Sequence, residues 1–134
     1  MIKTIHAQFH GTTKVKRVVK STLAAETFAL VDGADNAVLL SKLLAEIIHN
    51  DKDHNLIIEC RTDNRSLFQA AHSTNTLNDK RLRVEMSIVR EMLERKEIEL
   101  VWVEAKKQLA DVLTKRGASS LTLLKILQEG FLNI

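Results

Sequence analysis

The order of hydrophobic patterns along this chain predicts an α/β fold with a mixed, partly parallel sheet. Segments with helical periodicity alternate with short apolar runs that have the length of strands. The sequence contains no proline and only four glycines, which argues against a loop-rich β-sandwich or barrel. Strands that alternate with helices are typically joined by helical crossovers, so partly parallel pairing is expected.

The first half of the chain is predicted to hold two strands and one long helix. Residues 2–10 alternate loosely between apolar and polar side chains, which is typical of a strand. Ser21 or Thr22 can cap a helix that runs to about Ile48. The continuous apolar run at 56–60 is short, and such a run predicts a buried central strand.

The second half is predicted to hold helices around one more strand. Residues 62–72 change to helical periodicity and predict a short helix. A second amphipathic helix is expected over 79–96, and its apolar stripe comprises Leu82, Met86, Val89 or Arg90, and Leu93.

The next segment, 97–105, alternates as a strand, which places Ile98, Leu100 and Trp102 on one face and Trp102 in the core. Two C-terminal helices complete the predicted order. One covers 106–117 and ends at Gly117, and the other covers 119–131 with Ser119 or Ser120 as its cap.

Composition limits the class of protein. The chain has 134 residues, of which 45% are hydrophobic and 28% charged, and this predicts one globular domain over 1–134. The formal net charge of +3 is compatible with a nucleic-acid partner but too small to indicate one. A single cysteine, Cys60, excludes an internal disulfide and a cysteine-rich zinc site. No signal segment or membrane-spanning run is found, so an intracellular protein, cytoplasmic or nuclear, without a membrane partner is expected.

Glu26 is an acid among apolar residues. At about 100° per residue it lies in line with Leu30, Gly33, Leu40 and other apolar positions, so it is predicted to face the core. A buried carboxylate needs a cation, a donor or a metal as its partner. The alternative is an acid in the first turn, stabilised by the helix dipole and reaching water past the helix end.

Two further acids lie in comparable places. Asp63 follows the predicted central strand at its carboxyl end, which is where sites form in open α/β sheets. An Asp between a strand and a helix can equally be an N-cap. Asp111 lies among Leu109, Val112 and Leu113, and it can also be a solvated helix residue.

Three segments in this order, "KSTLAAETFAL", "TDNRSL" and "QLADVLTK", resemble the ribonuclease H domain of copia-type LTR retrotransposon Pol polyproteins. The resemblance covers about residues 15–130. It implies a ribonuclease H-like mixed sheet flanked by helices. It also implies that Glu26, Asp63 and Asp111 are catalytic residues that bind Mg²⁺ or Mn²⁺, with two ions in the family.

The activity implied is hydrolysis of the RNA strand of an RNA–DNA hybrid after reverse transcription, with the reverse transcriptase region of the polyprotein as a partner. Mg²⁺ prefers carboxylate oxygens and water. Two such ions about 3.5–4 Å apart can stabilise both the attacking and the leaving oxygen of an in-line displacement.

The sequence departs from the family in one respect. The family uses four acids, and the first lies on a leading strand that precedes the helix bearing Glu26. None of the 25 residues before Glu26 is Asp or Glu. The leading β-hairpin is therefore expected to be missing, with little or no nuclease activity for this chain alone.

Basic residues form two clusters that could follow phosphates. They are Lys14, Lys16, Arg17 and Lys20 before the long helix, and Lys80, Arg81 and Arg83 at the start of the second. Each cluster can also be a solvated surface. The rival function is a non-catalytic nucleic-acid-binding or interaction domain domesticated from a retrotransposon. The third alternative is an α/β domain whose acids are caps and surface groups.

Overall fold

A computed structural model describes residues 21–50, 56–105, 112, 116–117 and 119–129. These residues divide into two compact units, a larger one that ends at Val103 and a smaller one that begins at Glu104. The larger unit contains, in order, α1 (Thr22–His49), β1 (Glu59–Thr62), α2 (Arg65–His72), α3 (Lys80–Glu94) and β2 (Glu99–Trp102). Helix and strand thus mix as the α/β prediction requires. The prediction of one domain over the whole chain stays a prediction.

Helix α1 begins and ends where local chemistry favours it. Ser21 has an extended backbone, and its hydroxyl accepts a hydrogen bond from the amide of Ala24 at 3.2 Å, which satisfies an otherwise unpaired donor of the first turn. At the other end Asn50 adopts a left-handed backbone with φ of 50°, a conformation that asparagine tolerates better than most residues. The predicted helix is confirmed.

Strands β1 and β2 are parallel neighbours, and Thr62 pairs with Trp102 in their register. The connection between them contains α2 and α3, as parallel pairing demands. The prediction of a buried central strand over 56–60 is wrong in two ways. Ladder pairing begins only at Glu59, and Ile57 is 80% exposed. Within the described ranges β1 has a single neighbouring strand, so an apolar run here does not imply cover on both sides.

Helices α2 and α3, both predicted from periodicity, pack against each other and against α1. The Asp79 carboxylate caps α3 by accepting from the amides of Arg81 and Leu82. The buried stripe of α3 is Leu82, Met86, Val89 and Met92. Of the two predicted alternatives, Val89 is buried and Arg90 is not. The predicted Leu93 is only half-buried, and its neighbour Met92 is buried instead.

The core of the larger unit lies where α1, α2, α3 and β2 meet. Each of these elements contributes at least one buried residue to the central cluster. Its members are Val31, Leu67, Ala71, Met86, Val89 and Leu100. Arg90 closes the loop after α2 by donating to the carbonyls of Ala70 and Asn75. The end of α2 and the loop that follows it are thus held against α3.

The smaller unit contains helix α4 (Leu121–Glu129). The carbonyl of Ser120 accepts from the amide of Leu124 at 2.9 Å, so Ser120 flanks the first turn as predicted. Gly117 has φ of +77°, the left-handed conformation expected after a helix end. The predicted strand at 2–10 lies outside the described residues, as does most of the predicted helix at 106–117. No described helix has the length and apolar character needed to cross a membrane.

Candidate functional site

The carboxyl ends of β1 and β2 form one edge of the sheet, because the strands are parallel and Thr62 lies beside Trp102. Asp63 is the first residue after β1 at this edge. The indole Nε1–H of Trp102 donates to the main-chain carbonyl of Asp63 at 3.3 Å. A side chain at the end of one strand therefore holds the backbone at the end of the other.

Asp63 does not cap α2, so the capping alternative for this acid is wrong. Asn64 takes that position, and its side-chain carbonyl accepts from the amide of Leu67 at 3.0 Å. The hydroxyl of Thr62 in turn accepts from the amide of Asn64 at 3.1 Å. Within the part of the chain that the structure describes, no hydrogen bond or ion pair involves the half-buried Asp63 carboxylate. This carboxylate is available for a ligand.

Glu26 lies in the second turn of α1, and the prediction that it faces the core is wrong because the residue is exposed. The buried stripe of the first half of α1 is Ala24, Thr27, Phe28, Val31 and Ala34. Its centre lies about 140° around the helix from Glu26. The large apolar residues in line with Glu26, which are Leu30, Leu40 and Leu44, are half-buried at the margin of the packed side.

The structure therefore tests the predicted acidic cluster only in part. Asp111 lies outside the described residues. Among residues 21–50, 56–105 and the described part of the smaller unit, no group of three or more metal-ligating side chains comes together. The larger unit places Glu26 on a helix whose Leu23 and Leu30 pack against the cluster that contains Leu67 of α2. Helix α1, which carries Glu26, thus packs against α2, and Asp63 lies two residues before α2 begins.

Trp102 and Arg65 were not predicted as site residues. Trp102 is 36% exposed, so its predicted place in the core is wrong. The predicted alternation of buried and exposed side chains holds for Ile98 and Leu100, which are buried. It fails at Trp102, which is the last residue of β2 and lies at the carboxyl end of the strand. The guanidinium carbon of Arg65 lies 4.9 Å from the centroid of the indole ring, within range of a cation–π interaction.

The second basic cluster is exposed at the start of α3. Lys80, Arg81 and Arg83 are all on the surface, and Arg83 donates to the carbonyl of Leu77 at 3.0 Å. No acidic residue lies in the first turn of α3. Cations at a helix N-terminus oppose the helix dipole, so helix stability does not explain them. The first cluster, Lys14, Lys16, Arg17 and Lys20, lies outside the described residues.

Cys60 lies on β1, two residues before the edge of the sheet. It is half-buried, and burial, together with the charge of Glu59, raises the pKa of its thiol to about 11. A neutral thiol is a poor nucleophile and a poor metal ligand. Cys60 is therefore a packing residue.

Comparisons with family models, with curated proteins and with solved structures give no match.

Proposed function

We propose that this chain is the ribonuclease H-like domain of a copia-type retrotransposon Pol polyprotein and that its ligand is an RNA–DNA hybrid. The three ordered motifs with Glu26, Asp63 and Asp111 support this proposal. So does the parallel strand pair joined through two helices, which agrees with the sheet that the resemblance implies.

The observation that carries the proposal is that the Asp63 carboxylate does not cap α2. An acid at the carboxyl end of a parallel strand is often explained by helix capping, but Asn64 is the cap here. The Asp63 carboxylate lies at the strand edge where ligands bind in α/β sheets, and its backbone is fixed by the indole of Trp102. An acid with a fixed backbone, whose carboxylate makes no hydrogen bond or ion pair within the described residues, is well suited to hold a ligand.

Asp63 and Glu26 supply carboxylate oxygens, the type of ligand that Mg²⁺ prefers. Mg²⁺ keeps several waters and is usually bound through one or two carboxylates together with substrate phosphates. Asp63 would be a direct ligand, Glu26 would be the second acid from α1, and Asp111 would be the third. Bound at these oxygens, such an ion supplies charge for a phosphodiester and its attacking water.

Metal binding gives the first test. Trp102 is the only tryptophan of the chain, and its ring bonds to Asp63, so paramagnetic Mn²⁺ bound at Asp63 should quench its fluorescence. We expect saturable quenching that Mg²⁺ reverses by competition. Asp63→Asn should abolish this quenching. Asp32→Asn, which removes the same charge from an exposed position of α1, should leave it unchanged. Equal quenching in both variants would contradict the proposal.

Hydrolysis gives the second test. The 134 residues supply three of the four acids that the resemblance implies. These residues alone should therefore bind an RNA–DNA hybrid more tightly than a DNA duplex of the same sequence, with little or no cleavage in Mg²⁺ or Mn²⁺. Fast cleavage that Asp63→Asn abolishes would overturn the expected loss of activity. Equal affinity for both duplexes would overturn the proposed ligand.

A second candidate function is non-catalytic binding of nucleic acid. The cations in the first turn of α3 favour it, because they are exposed and oppose the helix dipole. In that case binding should be independent of divalent metal and unchanged by Asp63→Asn. Replacing Lys80 and Arg81 by glutamine should weaken it and make it less sensitive to salt.

A further inference from the structure

Arg65 is placed at the sheet edge in an unusual way. It is the first residue of α2, it is exposed, and its guanidinium lies over the face of Trp102. Within the described part of the chain, no hydrogen bond or ion pair involves this guanidinium. A cation–π contact occupies one side of the guanidinium, whose five N–H donors can still bind an anion on its other sides. The side chain is thus restrained, while its capacity to bind an anion is unused.

The surroundings indicate which anion. The Trp102 ring that holds Arg65 also bonds to the carbonyl of Asp63, so the cation and the acid are attached to one support. Asp63, whose carboxylate can take a divalent cation, and Arg65, whose guanidinium can take an anion, are thus both held by the same indole ring. This combination suits a polyanion such as a nucleic-acid strand, which offers successive phosphates, because a planar guanidinium can bind phosphate through two hydrogen bonds.

We infer that Arg65, held against Trp102, contacts a backbone phosphodiester of nucleic acid bound beside Asp63. The inference rests on the proposed function for the identity of the ligand and adds a contact that the motifs do not indicate. Trp102 is a positioning residue in this site. It orients Arg65 by stacking and Asp63 through the main chain, and neither role needs contact with the ligand.

The salt dependence of binding measures this contact. Each phosphate neutralised by a cation adds about 0.9 to the slope of log affinity against log salt for a duplex. Arg65→Gln should lower that slope by about one, and Arg65→Lys should restore it. Arg95→Gln is the matched control. It removes the same charge from an exposed residue that precedes β2, at the other end of the strand from Trp102, and the slope should not change.

Two sets of titrations distinguish a failure of this inference from a failure of the proposed function. All variants are titrated with an RNA–DNA hybrid and with a DNA duplex, and inorganic phosphate alone is titrated while Trp102 fluorescence is followed. If Arg65→Gln matches Arg95→Gln while the wild type prefers the hybrid, the phosphate contact is wrong and the function stands. If the wild type binds both duplexes equally and only Arg65→Gln lowers the slope, the contact stands and the proposed ligand is wrong.

Binding of neither duplex by the wild type would overturn the contact, and so would a fluorescence response to inorganic phosphate only. Trp102→Phe keeps an aromatic face but removes the Nε1–H that bonds to Asp63. It should retain most of the salt slope, because stacking persists, and it should weaken Mn²⁺ binding measured by electron paramagnetic resonance. Loss of the slope with unchanged metal binding would contradict the positioning role.

Discussion

The two halves of α1 have similar apolar content and opposite surroundings. The first half, residues 22–35, buries Ala24, Thr27, Phe28, Val31 and Ala34. In the second half, residues 36–49, only Ala45 is buried. Four large apolar side chains of that half are exposed, by 61% for Leu39, 49% for Leu43, 78% for Ile47 and 40% for Ile48, while Val38, Leu40 and Leu44 are half-buried.

Length explains this difference. Helix α1 has 28 residues and α3 has 15, which corresponds to about 42 Å and about 22 Å at the usual rise per residue. The helix that packs against α1 therefore covers only about half of it. Apolar residues beyond that cover remain in solvent within the described structure. The comparison teaches that hydrophobic composition predicts where a helix forms, while the length of its partner decides which part of it is buried.

The largest expected difference in stability is between two truncations, one in each half of α1. Phe28 packs with Ala24 and Leu82 in a buried cluster, so Phe28→Ala should cost about 3–5 kcal/mol in the free energy of unfolding. Ile47→Ala should change it by less than about 0.5 kcal/mol, because the side chain is already in water. Urea unfolding of both variants measures the difference. A cost above about 1 kcal/mol for Ile47→Ala would show that the second half is covered in solution.

Ala45 is the exception in the second half and sharpens the comparison. It is fully buried, at 0% exposure, so Ala45→Leu should cost about 1–3 kcal/mol through overpacking. Ala29→Leu, on the exposed side of the first half, should be nearly neutral, because leucine forms helices almost as well as alanine. Thermal unfolding compares the two. If the order were reversed, the buried stripe would lie elsewhere on α1.

Cys60 provides a pH-dependent measure of packing on the first half, since it lies against the clusters that contain Val31 and Ala34. The pKa of its thiol is about 11, above the ordinary value of 9.0. Between these values the folded state keeps a proton that the unfolded state has lost, so stability should fall as the pH rises from about 9 to about 11. The fall should be at most on the order of 2 kcal/mol.

The measurement is the urea midpoint of the wild type relative to Cys60→Ser across this pH range. Lysines also titrate there, but they are common to both proteins and cancel in the difference. Equal pH dependence in the two proteins would show that Cys60 is not desolvated by the core.

The smallest effect concerns the helix ends. Ser21→Ala removes the hydroxyl that accepts from Ala24 and should cost about 1 kcal/mol. Asn50→Gly should be neutral or slightly stabilising, because glycine adopts the left-handed backbone found there without strain. Helix content by circular dichroism and urea midpoints test both. A larger loss at Asn50 than at Ser21 would mean that the second half contributes more stability than its exposure indicates.

Much of the local structure could be predicted because its causes are local. The cap at Ser21, the α3 stripe through Leu82, Met86 and Val89, and the alternation of Ile98 and Leu100 depend on neighbours within a few residues. Choices between adjacent residues were harder. Asn64 rather than Asp63 caps α2, although either side chain can do so.

The candidate site could be predicted only in outline. Asp63 stands where the motif and the strand end place it, but Glu26 is exposed and not turned to the core. The stacking of Arg65 on Trp102 joins residues 37 positions apart in sequence (102 − 65), and no periodicity within either segment indicates it. The signal available was indirect: an arginine just after a strand-end acid, and an aromatic residue at the end of an alternating strand.

Periodicity and capping act over a few residues, so the amino-acid sequence was enough to predict the type and order of the described helices and strands. The sequence also contains the three motifs on which the proposed function rests. Three features follow from the tertiary structure instead: which half of α1 is buried, that the Asp63 carboxylate is left available, and that Trp102 contacts both Asp63 and Arg65. These features depend on the length and register of elements that meet in space, and a one-dimensional pattern does not contain that information.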